Sequence, residues 1–181
     1  PAQLIEPAQW TEPAELIAPE QSPELLRDSY FENLGYAACS GAASTCTGTS
    51  ADFMANSWNS FPPVYEVRKA AWQDQIIYGL DMNEQEPYTI FQQVSGLEIG
   101  QSYELSVQVS PNSDCGPVFT QTGFMSAGQN RKRFAVTDRD EEFVDGWFTF
   151  VAGQSSMEVR VGSETPGKCG FLLSQVSLRK V

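Results

Sequence analysis

The groups able to do chemistry are unevenly stocked in this 181-residue chain: 23 Asp and Glu, 4 cysteines and no histidine. Without an imidazole, Ser-His-Asp, Cys-His and histidine-metal chemistry are all excluded. The cysteines (Cys39, Cys46, Cys115 and Cys169) include no CxxC pair and match no zinc pattern. No glycine-rich phosphate loop of the GxxxxGK[ST] or GxGxxG form is present. Glycoside hydrolysis needs only two carboxylates at a suitable separation, and Glu66, Asp74, Asp81, Glu84 and Glu86 lie near aromatic residues. Acids on so acidic a surface mostly serve solvation, so the chain is read as a non-enzyme and a secreted glycosidase ranks only third.

Binding needs a different set of groups. Pyranose rings stack their C–H faces on Trp and Tyr, while their hydroxyls bond Asn, Gln, Asp and Glu. The stretch from Trp58 to Tyr88 is rich in that mixture. It supplies Trp58, Tyr65, Trp72, Gln73, Gln75 and Tyr78 as expected ligand contacts, with Phe61 and Asn83 nearby. Trp72 and Tyr78 lead because polar Gln73, Asp74 and Gln75 lie close by. Aromatics also dominate sandwich interiors, which is the competing fate for each of them. Trp147, set in Trp-Phe-Thr-Phe with apolar residues on both faces, is assigned to the core.

Charge and cysteine count narrow the partners. Against the acids stand 11 Lys and Arg, a formal net charge of −12 that repels polyanions. Nucleic acid and anionic lipid are therefore poor partners. The basic knot Arg131-Lys132-Arg133 precedes Asp138, Asp140, Glu141 and Glu142, so a hairpin with paired charges is expected there. An even number of cysteines in an acidic, Gly/Ser/Thr-rich chain reads as two disulfides in an oxidising compartment. The favoured pairing is Cys39–Cys46 and Cys115–Cys169, with four free thiols as the alternative. No apolar run reaches the roughly 20 residues that span a bilayer, so membrane insertion is not expected. The chain begins at Pro1 without Met, as after removal of a leader or excision from a longer protein.

These residues are positioned by two kinds of sequence, dividing near residue 28. Residues 1–28 carry a proline every six residues, at Pro1, Pro7, Pro13 and Pro19. That spacing blocks a continuous helix and favours extended backbone. An extended chain would project Leu4, Trp10 and Leu16 on one side, as an arm that packs on a surface or as a spacer between modules. In residues 29–181 the apolar period is two. Tyr103, Leu105, Val107 and Val109 alternate with polar residues, and Met157–Val161 does the same. Further strands are expected at Val64–Arg68, Gln75–Leu80, Tyr88–Val94, Val118–Phe124, Arg133–Val136, Trp147–Val151 and Phe171–Leu178. Turn signals such as Ser95-Gly96, Asp145-Gly146 and Pro166-Gly167 separate them. Many short strands so punctuated specify an all-β sandwich or barrel.

The stretch Tyr88–Val109 resembles the middle of the carbohydrate-binding-module jelly rolls of the cellulase and xylanase type, where a strand ending in Gln, a short Gly-containing turn and a strand opening with Tyr follow one another. Tyr30-Phe31-Glu32-Asn33, Trp58 with Phe61-Pro62-Pro63, Gly146–Phe150 and Phe171–Leu178 extend the resemblance over about residues 29–181. It implies a jelly-roll antiparallel β-sandwich. It also implies a structural calcium ion, held by an N-terminal acid that Glu32 matches and by last-strand aspartates. Those last positions are Ser174 and Gln175 here, so no cofactor is expected and Glu32 stands as a lone calcium candidate.

Two function classes follow. The first is a secreted or cell-surface module that binds carbohydrate through exposed aromatics. The second is a structural or adhesive subunit, a homo-oligomer or filament whose arm packs on a neighbouring copy through main-chain pairing.

Overall fold

The computed structural model describes residues 22–31, 45–49, 58–61, 64–72, 75–82, 88–112, 120–137, 144–165 and 169–181, with side chains given except at 45–49, 64–66, 68–72 and 75–78. The described residues form eleven strands: β1 (Thr45–Thr49), β2 (Asn59–Phe61), β3 (Val64–Trp72), β4 (Gln75–Asp81), β5 (Thr89–Ser95), β6 (Ser102–Ser110), β7 (Thr120–Ala127), β8 (Asn130–Thr137), β9 (Val144–Val151), β10 (Ser156–Ser163) and β11 (Leu172–Lys180). They form a six-stranded sheet in the order β1-β3-β4-β11-β6-β9 and a five-stranded sheet in the order β2-β5-β10-β7-β8. Every pairing is antiparallel. The result is the all-β sandwich expected from the period-two pattern. Among the described residues, no helix is long and apolar enough to cross a membrane.

Alternation explains the core. On β6 the inward residues Tyr103, Leu105, Val107 and Val109 are buried, and their polar neighbours are only half-covered. Facing them from the other sheet are Ile90, Val94, Met125, Val136, Val159 and Val161. Gly123 on β7 leaves the room that a Cβ would take from the rings of Phe134 and Phe171, which meet edge to face at 5.0 Å. Two strands went unread in the sequence. β1 has the composition Thr-Cys-Thr-Gly-Thr, without apolar alternation, and β2 is three residues long.

The domain boundary expected at residue 28 falls inside a segment that is bonded into the sandwich. β4 accompanies β11 only at Leu172 and Leu173, before an irregularity at Ser174. Beyond it, residues 24–29 take the vacated side of β11. Leu25 N–H donates to Leu178 O at 3.0 Å, and Val176 N–H donates to Ser29 O at 2.9 Å. The Glu24 carboxylate accepts from Leu25 N and Leu26 N at 3.0 Å, Leu178 N at 2.8 Å and Ser177 Oγ at 2.5 Å. From the opposite sheet, the buried Gln92 amide clasps the Arg27 backbone, accepting at 2.9 Å and donating at 3.1 Å. The turn that follows has Asp28 at φ 50° and Phe31 at φ 55°. A bulky residue in that region is strained by about 1–3 kcal/mol, and here full burial of the Phe31 ring, 5.7 Å from Trp58, offsets it. Leu4, Trp10 and Leu16 lie outside the described residues.

Cys169 is half-buried and its thiol has no partner among the described residues; Cys115 lies outside them, and the expected Cys115–Cys169 pairing with it. An even cysteine count allows bridges, but each needs its two Cα atoms within about 4.4–6.8 Å. The side chains of Cys39, Cys46 and Cys115 lie outside the description, and the Cys39–Cys46 pairing with them.

Because one carboxylate holds three main-chain N–H groups, Glu24→Ala should cost about 2–4 kcal/mol. The expected signature in urea unfolding is a lower midpoint with an unchanged slope. An unchanged midpoint would mean that residues 24–29 are not part of the folded unit.

Candidate functional site

β9 reads Val144-Asp145-Gly146-Trp147-Phe148-Thr149-Phe150-Val151, and its pleat separates that run into two chemistries. Phe148 and Phe150 turn toward the core, 5.9 Å apart, with Phe150 against Tyr103 at 6.0 Å. Asp145, Trp147, Thr149 and Val151 turn outward. Trp147 is therefore not a core residue: 53% of it is exposed, on the edge strand of the six-stranded sheet. The sequence assignment failed because Thr149 shares the outward phase with Trp147, leaving the two phenylalanines to the inside. Inspecting alternate positions separately finds it.

Register gives the indole its neighbours. Ser106 lies opposite Trp147, Gln108 opposite Asp145 and Glu104 opposite Thr149. On the far side of β6, Gln108 pairs with Gln175 of β11. Glu104, Ser106, Gln108, Asp145, Trp147 and Gln175 thus line one open depression of about 240 Å³. Gln108 is held in place: its Nε2 donates to Asp145 Oδ1 at 3.4 Å, and Ser174 Oγ donates to its carbonyl and side-chain oxygens at 3.1 Å. Lys132 Nζ reaches over from β8, donating to Trp147 O at 2.6 Å and standing 5.3 Å from the ring centroid. That contact links the edge of one sheet to the edge of the other beside the indole.

Such a surface is one flat aromatic face bordered by amide, hydroxyl and carboxylate groups. It presents stacking area and both donors and acceptors without a deep cavity. On the last strand, Ser174 donates its hydroxyl to Gln108, and Gln175 beside it carries no charge. Among the described residues, no cluster of three or more His, Cys, Asp or Glu side chains could hold a metal ion. Glu32 lies outside them.

The expected ligand residues fare differently. Trp58 is fully buried against Phe31, its Nε1 donating to Asp28 O at 3.3 Å, so it belongs to the core. The aromatic-rich segment misled because sandwich interiors draw on the same residues. Trp72 and Gln75 are directly paired at the end of the β3–β4 hairpin, Tyr78 pairs with Lys69, and Tyr65 pairs with Gly48, but the side chains of these positions are not described. Gln73 lies outside the described residues. Asp81 is buried and bonded by Asn112 Nδ2 at 3.0 Å, and Asn112 N–H in turn donates to Gln121 Oε1 at 3.0 Å. That network ties β4, β7 and the end of β6 together, and gives Asp81 a structural place.

No family model and no curated protein sequence matches the chain. Solved structures do. An arabinose-bound α-L-arabinofuranosidase, MgGH51, is 10% identical with a TM-score of 0.55, over 88% of this chain and 27% of that one. The C-terminal CBM6 of LamC, a marine laminarinase from Zobellia galactanivorans, is 8% identical with a TM-score of 0.49, over 75% of this chain and 99% of that one. A family 35 carbohydrate binding module from Clostridium thermocellum is 13% identical with a TM-score of 0.48, over 75% and 98%. A sugar-binding protein, the EclA C-terminal domain, is 18% identical with a TM-score of 0.43, and the match spans 64% of its length. At such low identity the likeness shows the fold alone, an all-β sandwich.

The two tryptophans should separate in stability measurements. Trp58→Ala should cost about 3–5 kcal/mol, as a large buried side chain does. Trp147→Ala, which loses only an exposed ring and its contact with Lys132, should cost about 1 kcal/mol or less. Equal losses would contradict the assignment of one to the core and the other to the surface.

Proposed function

We propose that this chain is a non-catalytic, extracellular module that binds neutral carbohydrate on the outer face of β6, β9 and β11. The observation that carries the proposal is the half-exposed Trp147 ring beside Glu104, Ser106, Gln108, Asp145 and Gln175. A pyranose laid on the indole would bury its C–H face, and its equatorial hydroxyls would meet the ordered Gln108–Asp145 pair. The likeness to solved sandwiches that are carbohydrate-binding modules supports the class of ligand. Absence of histidine and the open, shallow form of the site support binding without turnover.

The test is a panel of neutral oligosaccharides (cellohexaose, xylohexaose and mannohexaose) titrated calorimetrically. At least one should bind weakly, and Trp147→Ala should lower that affinity by about tenfold or more, the usual consequence of removing a central aromatic anchor. Gln108→Ala should weaken it less. The proposal is wrong if no glycan binds, or if Trp147→Ala leaves affinity unchanged in a folded protein.

A further inference from the structure

The outer face of the five-stranded sheet has the opposite character. Register puts Thr122 beside Ala135, Phe124 beside Arg133 and Ser126 beside Arg131 on that face. Gly162 of β10 lies opposite Phe124, and a Cβ there would collide with the Phe124 ring, so the ring lies against bare backbone. The Arg131 guanidinium covers it, 3.8 Å from its centroid. One carboxylate, Glu164, bridges the two arginines, taking Arg131 Nη2 at 2.5 Å and Arg133 Nε at 2.9 Å. Among the described residues Glu164 pairs with the basic knot; Asp138, Asp140, Glu141 and Glu142 lie outside them.

Among the described residues, the two guanidinium groups share one carboxylate, an excess of one positive charge in a chain of net charge −12. Each guanidinium has five N–H donors, and Glu164 occupies one nitrogen of each. The rest of the Arg133 guanidinium, on a side chain 76% exposed, has no further partner among the described residues. An open groove of about 830 Å³ runs past these groups, lined also by Thr122, Phe134, Ala135 and Ser163. Its size suits a mono- or disaccharide, and its lining mixes apolar surface with hydroxyls. Among the described residues, the buried Ser163 hydroxyl has no hydrogen-bond partner. The distant acids oppose a long polyanion, but at physiological salt their field is screened beyond about 8 Å, so a single anionic group answers to Arg131, Arg133 and the Glu164 carboxylate between them.

We propose that this groove is a second binding site, for an anionic saccharide whose carboxylate or sulfate docks on Arg133 and Arg131 while its ring rests beside Phe124 and Ala135. Fork-to-oxyanion pairing gives the selectivity for charge. The site stands on the sheet opposite Trp147 and does not depend on that surface binding anything.

The full chain would be titrated with glucuronic acid, glucose 6-sulfate, glucose and inorganic sulfate, following backbone amide shifts on β7, β8 and β10. Glucuronic acid or the sulfated sugar should bind and glucose should not, which also tells carboxylate from sulfate ester. Arg133→Gln should weaken the bound anion about tenfold, as loss of a charged hydrogen bond does, and Glu164→Gln, which frees both guanidiniums, should strengthen it. Both variants should keep the thermal midpoint within a few degrees. Unchanged affinity in Arg133→Gln, or equal binding of glucose, would overturn the anion site. Inorganic sulfate or a Glu-rich peptide of residues 1–21 binding more tightly than either sugar would overturn the saccharide. Trp147→Ala should leave all these titrations unaltered.

Discussion

The constraint on which the rest depends is the shared pleat of β6 and β9. Eight consecutive pairs, from Ser102 with Val151 to Val109 with Val144, keep the two strands in step without a bulge. A slip of one residue would send Trp147 into the sandwich and bring Phe148 and Phe150 to water. The inward set (Tyr103, Leu105 and Val107 with Phe148 and Phe150) is too apolar to permit that. Burial of one face therefore dictates the composition of the other. Trp147, Ser106, Gln108 and Asp145 meet on the surface because their alternate neighbours are needed inside.

Rigidity of that surface comes from a segment distant in sequence. Glu24 and the backbone of residues 25–29 occupy the side of β11 that β4 leaves, and Gln92 ties the same segment to the opposite sheet. β11 is thus bonded on both sides, and Gln175 and Gln108 stay in register next to the indole. Lys132 performs a comparable service at the other edge, linking β8 to the carbonyl of Trp147. The two sheets then present unlike outer faces: a tryptophan among neutral and acidic groups on one, and arginines stacked on phenylalanine on the other.

Much of the sandwich was legible because period-two alternation is a direct consequence of burying one side of a strand. Tyr103–Val109 and Met157–Val161 appear in the structure as inward-facing runs, extended by a residue or two at their ends. β1 was illegible since its threonines and glycine carry no apolar phase. The bond between residues 24–29 and β11 was hidden by the prolines around it, which read as spacer while Glu24 was accepting from Leu178 N–H and Ser177 Oγ more than 150 residues away. At the candidate site, composition pointed to Trp58 and missed Trp147. Both are tryptophans beside aromatics. Only the phase of the strand, and for Trp58 the turn at Asp28 and Phe31 that lies over it, decides which one meets solvent.

The central claim is that the ligand surface is the outer face of β6, β9 and β11, and indole N–H resonances report on it directly. The chain has four tryptophans, so a nitrogen-15 spectrum contains four indole signals, each assignable by single Trp→Phe variants. On titration with a bound neutral oligosaccharide, the Trp147 signal should move together with the amides of Ser106, Gln108 and Asp145, while the buried Trp58 signal stays in place. Shifts confined to the indole of Trp72 and the amides of β3 and β4, with Trp147 unmoved, would contradict the account and return the site to the β3–β4 hairpin.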